Sequence, residues 1–170
     1  ALADQVRSGD PGNVEAQAAR LYWSRTLGRG VGRQPAAGQL IGANACLDYG
    51  YAVLRGHLMR AVLAAGLAPA LGVFHRGRGN AFALADDLIE PFRPAIDEVA
   101  LPLPATASPS DREVKQLLVA AASQRFDADG HGIPAVAEAL AQSFGRYIEG
   151  DIDRLQVASW QGPSRVGVGD

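Results

Sequence analysis

Apolar residues recur along this chain at intervals of three and four, the spacing of one face of a helix. Val14, Ala18, Leu21 and Tyr22 predict a first helix that opens at Asn13, a residue suited to capping free amides, and ends near Gly28. Leu40, Ala43, Leu47, Val53, Leu54, Leu58 and Val62 predict a second from about Gln39 to Ala65, with Gly66 as its stop. A third begins near Ala81 and carries Leu84, Leu88 and Phe92. Pro91 and Pro94 should kink or limit it, because proline removes a backbone donor. "SDRE" from Ser110 has the capping-box pattern and opens a fourth helix to about Phe126. A fifth is expected from Pro134 to about Trp160. Period-two alternation is absent and β-branched residues are sparse, so no strand is predicted. The expectation is an all-α fold, a compact bundle of about five main helices. Residues 1–12 read as a linker remnant, 13–160 as one helical domain and 161–170 as a flexible tail.

Composition sharpens this little. A chain of 170 residues that is 48% hydrophobic can bury a sizeable core in one domain. The longest apolar run, Ala61 to Val73, is broken by Gly66 and Pro69 and does not reach membrane-spanning length. No signal-peptide pattern is visible, and Cys46 is the only cysteine, so an internal disulfide is excluded and a cytosolic location is expected. Cys46 itself reads as a small core residue. Charge changes the picture more. The net charge of -2 conceals an asymmetry: from Arg20 to Asn80 there are eight arginines against one acid, Asp48. From Ala81 onward there are fourteen acids and seven bases. One positive face that meets phosphate or nucleic acid would explain this, as would solvated arginines on several faces.

Two stretches carry candidate chemistry. "DADGHGIPAVAE", Asp127 to Glu138, has acids at the first and third positions of a calcium loop, glycine at the sixth and glutamate at the twelfth. His131 and Pro134 fall where that loop needs an oxygen ligand and an apolar pairing residue, so the stretch reads as a polar turn with Pro134 in the first turn of the next helix. The other stretch is "FHRGRGNAFALADDLIEPFRP", Phe74 to Pro94. Asp87 and Glu90 are three apart and share a helix face, whereas Asp86 points about 100° away. Carboxylates beside Leu84, Leu88 and Phe92 lie near a buried surface and must be paired or hold a metal. His75 supplies an imidazole from the preceding loop, and a histidine with carboxylates suits magnesium or manganese. Arg76 and Arg78 could neutralise a bound phosphate. Read without a metal, the same stretch is a helix N-terminus enriched in acids beside a surface histidine.

At these residues the chain resembles the universal CRISPR adaptation integrase, a metal-dependent endonuclease family that inserts new spacers into a repeat array. The variants that accompany single-protein RNA-guided effectors (type II) are the most similar. "NVEAQAARLYW" from Asn13 resembles the family's glutamate-bearing helix, "NACLDYGYAVLR" from Asn44 its tyrosine-glycine-tyrosine helix, and "GLAPALGVFHRGRGNAFALADDLIEPFRP" from Gly66 its histidine loop and acidic helix. The resemblance implies metal ligands at Glu15, His75 and Glu90, with Asp87 an additional acidic position near the metal. It implies DNA contacts at Arg76, Arg78, Arg20 and Asn44. Ala16 and Asp48 depart from the commoner glycine and asparagine. The Gly28–Gly38 loop lacks the aromatic and acidic residues often found there.

The resemblance further implies strand transfer in which a DNA 3′-hydroxyl attacks a phosphodiester, with Mg2+ or Mn2+ as cofactor. Double-stranded and branched DNA and the small CRISPR adaptation protein are the implied partners, in a homodimer in a prokaryotic cytoplasm. The family's N-terminal β-rich domain has no counterpart in these residues, which correspond to its helical catalytic domain. The alternative is a DNA- or protein-binding helical domain, inactive without that β-rich domain. Tyr22, Trp23, Tyr49, Tyr51 and His57 are expected to serve packing, and His131 to be a solvated turn residue.

Overall fold

The computed structural model describes residues 12–27, 32–35, 38–75, 77 and 79–162. Its regular structure is helical: α1 (Val14–Thr26), α2 (Gly42–Ala64), α3 (Ala83–Leu88), a 3-10 turn (Glu90–Phe92), α4 (Arg93–Ala100), α5 (Arg112–Ala121) and α6 (Ile133–Glu149). The all-α expectation holds, with the third of the five expected helices cut into three pieces. Among the described residues the β pairing is one isolated antiparallel bridge between Arg125 and Gly132. No described helix is long and apolar enough to cross a membrane. The chain divides into two compact units, Ala1–Gln39 and Leu40–Asp170.

The first unit contains α1. Asn13 precedes it but does not cap it: its φ of 50° and ψ of 41° are left-handed, and its side chain makes no capping bond. Asparagine is among the few non-glycine residues that tolerate this conformation, so the residue serves the chain's entry angle rather than the orphan amides. Tyr22 and Trp23 meet edge to face with ring centroids 4.8 Å apart. Tyr22 stays largely exposed, against the expectation that it packs. The Gly28–Gly38 loop lies mostly outside the described residues.

In the second unit α2 is the axis. Leu47, Leu54, Leu58 and Val62 lie on one face and are fully buried. The helix starts at Gly42, later than the periodicity predicts, because Ile41 is extended and the Gly42 amide donates 2.7 Å to the Ala107 carbonyl. Leu40 therefore lies outside it and is exposed. At the other end Gly66 takes a φ of +72°, and the amides of Gly66 and Leu67 close on the carbonyls of Leu63 and Val62. This is the paired C-terminal closure that a left-handed glycine permits.

The acidic segment breaks where its prolines fall. Pro91 lies in the 3-10 turn and Pro94 in the first turn of α4, where a missing amide costs little. Phe92 and Ile96, both fully buried, hold the broken segment in place, each contributing about 1.5–3 kcal/mol of apolar burial. The Phe92 and Phe126 rings lie 4.8 Å apart in the same core. Gly50 of α2 admits α4 closely: a Cβ there would fall 2.5 Å from Ile96 Cγ2.

The capping box at Ser110 is not formed. Asp111 is the residue before α5 and makes no side-chain cap, while the Ser110 amide turns back to Ser108 Oγ at 3.2 Å. α5 ends at Ala121, short of Phe126, and Gln124 donates from its amide to the carbonyls of Ala121 and Ala95. α6 carries proline in its first turn, as expected, but stops at Gly150 (φ +82°) well before Trp160. Cys46 is fully buried, as expected of a small core residue. The expected tail lies largely outside the described residues; Gln161, at its start, donates its amide to the Phe126 carbonyl at 3.1 Å.

Candidate active site at the histidine loop

Asp87 sits on α3 with its side chain 8% exposed, directly under the loop that carries His75. Four donors from three consecutive residues converge on it. Oδ2 accepts the amides of Val73 at 2.5 Å and Phe74 at 3.1 Å. Oδ1 accepts the His75 amide at 3.0 Å and faces His75 Nδ1 at 2.6 Å. Burial alone would raise the Asp87 carboxyl, but the donors from His75, Phe74 and Val73 outweigh it and hold the group below its ordinary value. An ionised carboxylate only accepts, so it is Nδ1 that carries the hydrogen toward Asp87, and the other ring nitrogen, Nε2, is not used by this contact. The ring is 46% exposed, with the Phe74 ring packed edge to face against it. Gly72 lets the loop fold this tightly: a Cβ there would come within 2.9 Å of both Asp87 Oδ2 and the Ala83 Cβ.

Asp86, one residue earlier, faces a different set of donors. Its Oδ1 takes Arg55 Nε at 2.5 Å, and its Oδ2 takes Arg55 NH2 at 3.2 Å and Asn80 Nδ2 at 2.7 Å. Asn80 Oδ1 in turn accepts the Phe82 amide at 3.1 Å and Arg55 NH2 at 3.3 Å. Burial again works against the charge, and the bonds from Arg55 and Asn80 overcome it to lower the Asp86 carboxyl. Asp86, which helix geometry sets apart from the face of Asp87 and Glu90, is thus paired through Arg55 and Asn80, two residues that the sequence pattern does not single out. The available signal was Arg55, a charge set among the apolar positions Val53, Leu54 and Leu58 of α2, which needs a partner.

Glu90 lies in the 3-10 turn with its side chain 53% exposed, and Arg93 Nε donates to its Oε1 at 2.9 Å. The Arg93 guanidinium also stands 4.6 Å from the centre of the Tyr51 ring, whose hydroxyl donates to buried Asp97. Tyr51 thus packs as expected while carrying Arg93 toward Glu90. His75, Asp87 and Glu90 do not form a group whose ligand atoms all lie within 4.8 Å of one another.

The other residues singled out in the sequence are placed as follows. Glu15 is in the first turn of α1, and its side chain lies outside the described residues, as do Arg76 and Arg78. Arg20 is exposed on α1. Asn44, expected at the DNA, is only 6% exposed in the first turn of α2. His57 is half-buried, and burial, then nearby Arg60, pushes its imidazole below its ordinary value. Among the described residues, Asp127, Asp129 and His131 are the group of three that come within 4.8 Å. Asp127, however, spends its carboxylate on the His131 amide and ring, each at 2.8 Å. Glu138, the would-be twelfth calcium ligand, pairs with Arg60 at 3.2 Å. The stretch is a polar turn, closed by Gly130 at a φ of +85°.

Similarity to known proteins follows the same residues. The model of the family described as "CRISPR associated protein Cas1" matches residues 12–108, which include Glu15 and the whole histidine loop and acidic segment. The CRISPR-associated endonuclease Cas1 of Neisseria meningitidis serogroup C (strain 8013) is 50% identical over 96 residues, covering 56% of this chain and 30% of that protein. CRISPR-associated endonuclease Cas1 2 of Pyrobaculum aerophilum is 28% identical over 154 residues, covering 87% of this chain and 52% of its own length. The chain thus spans between about a third and a half of these relatives. Among solved structures, a casposase bound to its integration product superposes with a TM-score of 0.71 at 19% identity, over 85% of this chain and 48% of that one, a likeness of fold. The matched residues cover more than half of the 170, and on that match the chain belongs to the Cas1 family of CRISPR-associated proteins.

Proposed function

We propose that this chain is the helical, C-terminal catalytic part of a type II Cas1 integrase, with residues 13–160 acting as its catalytic domain. The reaction is metal-dependent insertion of spacer DNA into a CRISPR repeat array. A DNA 3′-hydroxyl attacks a phosphodiester at the repeat edge; a new P–O bond forms, the flanking strand's 3′-oxygen leaves, and a proton passes from one hydroxyl to the other.

The single observation that carries this reading is the Asp87–His75 pair. Asp87 holds Nδ1 and three loop amides, which leaves Nε2 as the ring nitrogen that would meet a ligand. A histidine fixed by a carboxylate behind it is the arrangement metal-ligating imidazoles adopt. Imidazole and carboxylate donors fit Mg2+ or Mn2+. Glu15, His75 and Glu90 would hold the ion, which would polarise the scissile phosphate and offset its developing charge. In this reading Asp87 orients His75, and Arg93 holds the Glu90 carboxylate. Arg20, Arg76 and Arg78 would contact the DNA backbone without reading sequence, so affinity should fall steeply with salt. Double-stranded and branched DNA, the small adaptation protein and a second copy of the full-length protein are the partners, in a prokaryotic cytoplasm.

The test is strand transfer by the full-length protein into repeat-bearing duplex DNA with Mg2+ or Mn2+. His75→Ala and Glu90→Ala should each abolish transfer while DNA retention persists. Normal transfer by either would sink the metal assignment. Retention of DNA by the unaltered protein, with no transfer under any metal, would favour the alternative of a DNA- or protein-binding helical domain.

A further inference from the structure

The loop between α2 and α3 is tied down at both of its limbs by consecutive residues of one helix. Asp87 takes the first limb, through the amides of Val73, Phe74 and His75. Asp86 takes the second, through Asn80, whose own oxygen accepts the Phe82 amide. Successive helical side chains diverge by about 100°, so two adjacent carboxylates can serve two limbs without competing for one set of donors. The second tie is anchored outside the loop. Arg55 on α2 meets both oxygens of Asp86 and reaches Asn80 Oδ1. Its guanidinium also stands 5.9 Å from the centre of the Phe82 ring. α2 is the buried axis of this unit, so the loop's exit is tied to a helix that packs through the core.

We propose that Arg55, Asn80 and Asp86 form a clasp that positions His75 for the reaction, so that Asp86 is a positioning residue and not a spare charge. A loop held only at its entrance could keep the Asp87 contacts in some conformers and lose them in others. Holding the exit as well removes those conformers, so the imidazole is presented in one place. The inference rests on the integrase reading for its consequence in catalysis, but its physical core, coupling between the two limbs, does not.

The experiment measures that coupling first. Asp86→Asn removes the charge that Arg55 grips, and Asn80→Ala removes the loop link while leaving the Arg55–Asp86 pair intact. Amide hydrogen exchange is recorded at Val73, Phe74 and His75 without metal, together with Mn2+ affinity by calorimetry. Both variants should keep the helical content, speed exchange at those three amides by about tenfold and weaken Mn2+ binding by about as much. Asp86→Glu, which can restore the pairing with Arg55, should recover part of both. Faster exchange confined to residues 80–82, with the three amides and Mn2+ affinity unchanged, would overturn the proposal. His75→Ala is the control that separates the two readings. If it leaves Mn2+ binding unchanged, the metal assignment fails while the exchange data still decide the clasp.

Discussion

Asp87→Asn exchanges one carboxylate oxygen for an amide nitrogen, and the geometry says what that should cost. Each Asp87 oxygen accepts two donors. The asparagine oxygen can keep one pair, but its amide then faces the other pair as donor against donor. Two bonds to a charged acceptor are lost, nominally about 1.5–3 kcal/mol each. The carboxylate is buried, but its donors lie in an exposed loop where water can replace part of what is lost. The net cost should therefore be about 2 kcal/mol, felt as local opening of the loop by roughly 30-fold. Amide exchange at Val73, Phe74 and His75 reads this directly. The change should also free the His75 ring to adopt either tautomer and weaken Mn2+ binding by about 10–100-fold. A double variant decides between orienting and ligating roles. If Asp87 acts through His75, then Asp87→Asn costs no further Mn2+ affinity in a His75→Ala background. An equally large additional loss there would show that Asp87 binds the metal itself. Wild-type exchange and wild-type affinity in the single variant would refute the whole account of the loop.

Two further outcomes follow from the packing and the charges. Gly50→Ala should destabilise by about 2 kcal/mol in chemical denaturation, because the new methyl meets stiff, buried Ile96 and overpacking outweighs the gain in helix propensity. Gly56→Ala, with nothing within 4 Å of its Cβ, should instead stabilise by about 1 kcal/mol, so equal effects at the two sites would contradict the close approach of α2 to α4. Asp86 and Asp87 both have carboxyls held below their ordinary value in the fold. Their stabilising contribution is therefore full above the unfolded carboxyl value of about 3.9 and is lost as pH falls from there through the lower folded values. Urea midpoints measured down this range should fall more steeply for the unaltered protein than for Asp86→Asn with Asp87→Asn, and parallel curves would show that the two charges do not stabilise the fold.

Much of this fold is legible in the linear pattern. The buried face of α2, the stop at Gly66, the breaks at Pro91 and Pro94 and the polar turn before Pro134 all depend on neighbours within a few positions. Such features follow from backbone geometry and from which face must leave water. Less legible were the helix starts. Asn13 and Ser110 carry capping side chains, yet neither caps, because the chain's entry angle and the pairing of Ser110 with Ser108 decide otherwise. The stop of α6 at Gly150 is hidden in the sequence because apolar residues, Ile152, Leu155 and Val157, continue past it.

The division of work among Asp86, Asp87 and Glu90 belongs to the tertiary structure. The sequence alone determined that three acids stand on a broken apolar helix behind a histidine loop, and that buried carboxylates there need partners. It did not determine which partners. The donors to Asp87 lie twelve to fourteen residues away, and Arg55 lies thirty-one residues from Asp86. Periodicity records which face of a helix is buried. It does not record what another helix or a folded-back loop brings to that face, and a carboxylate's role depends on that.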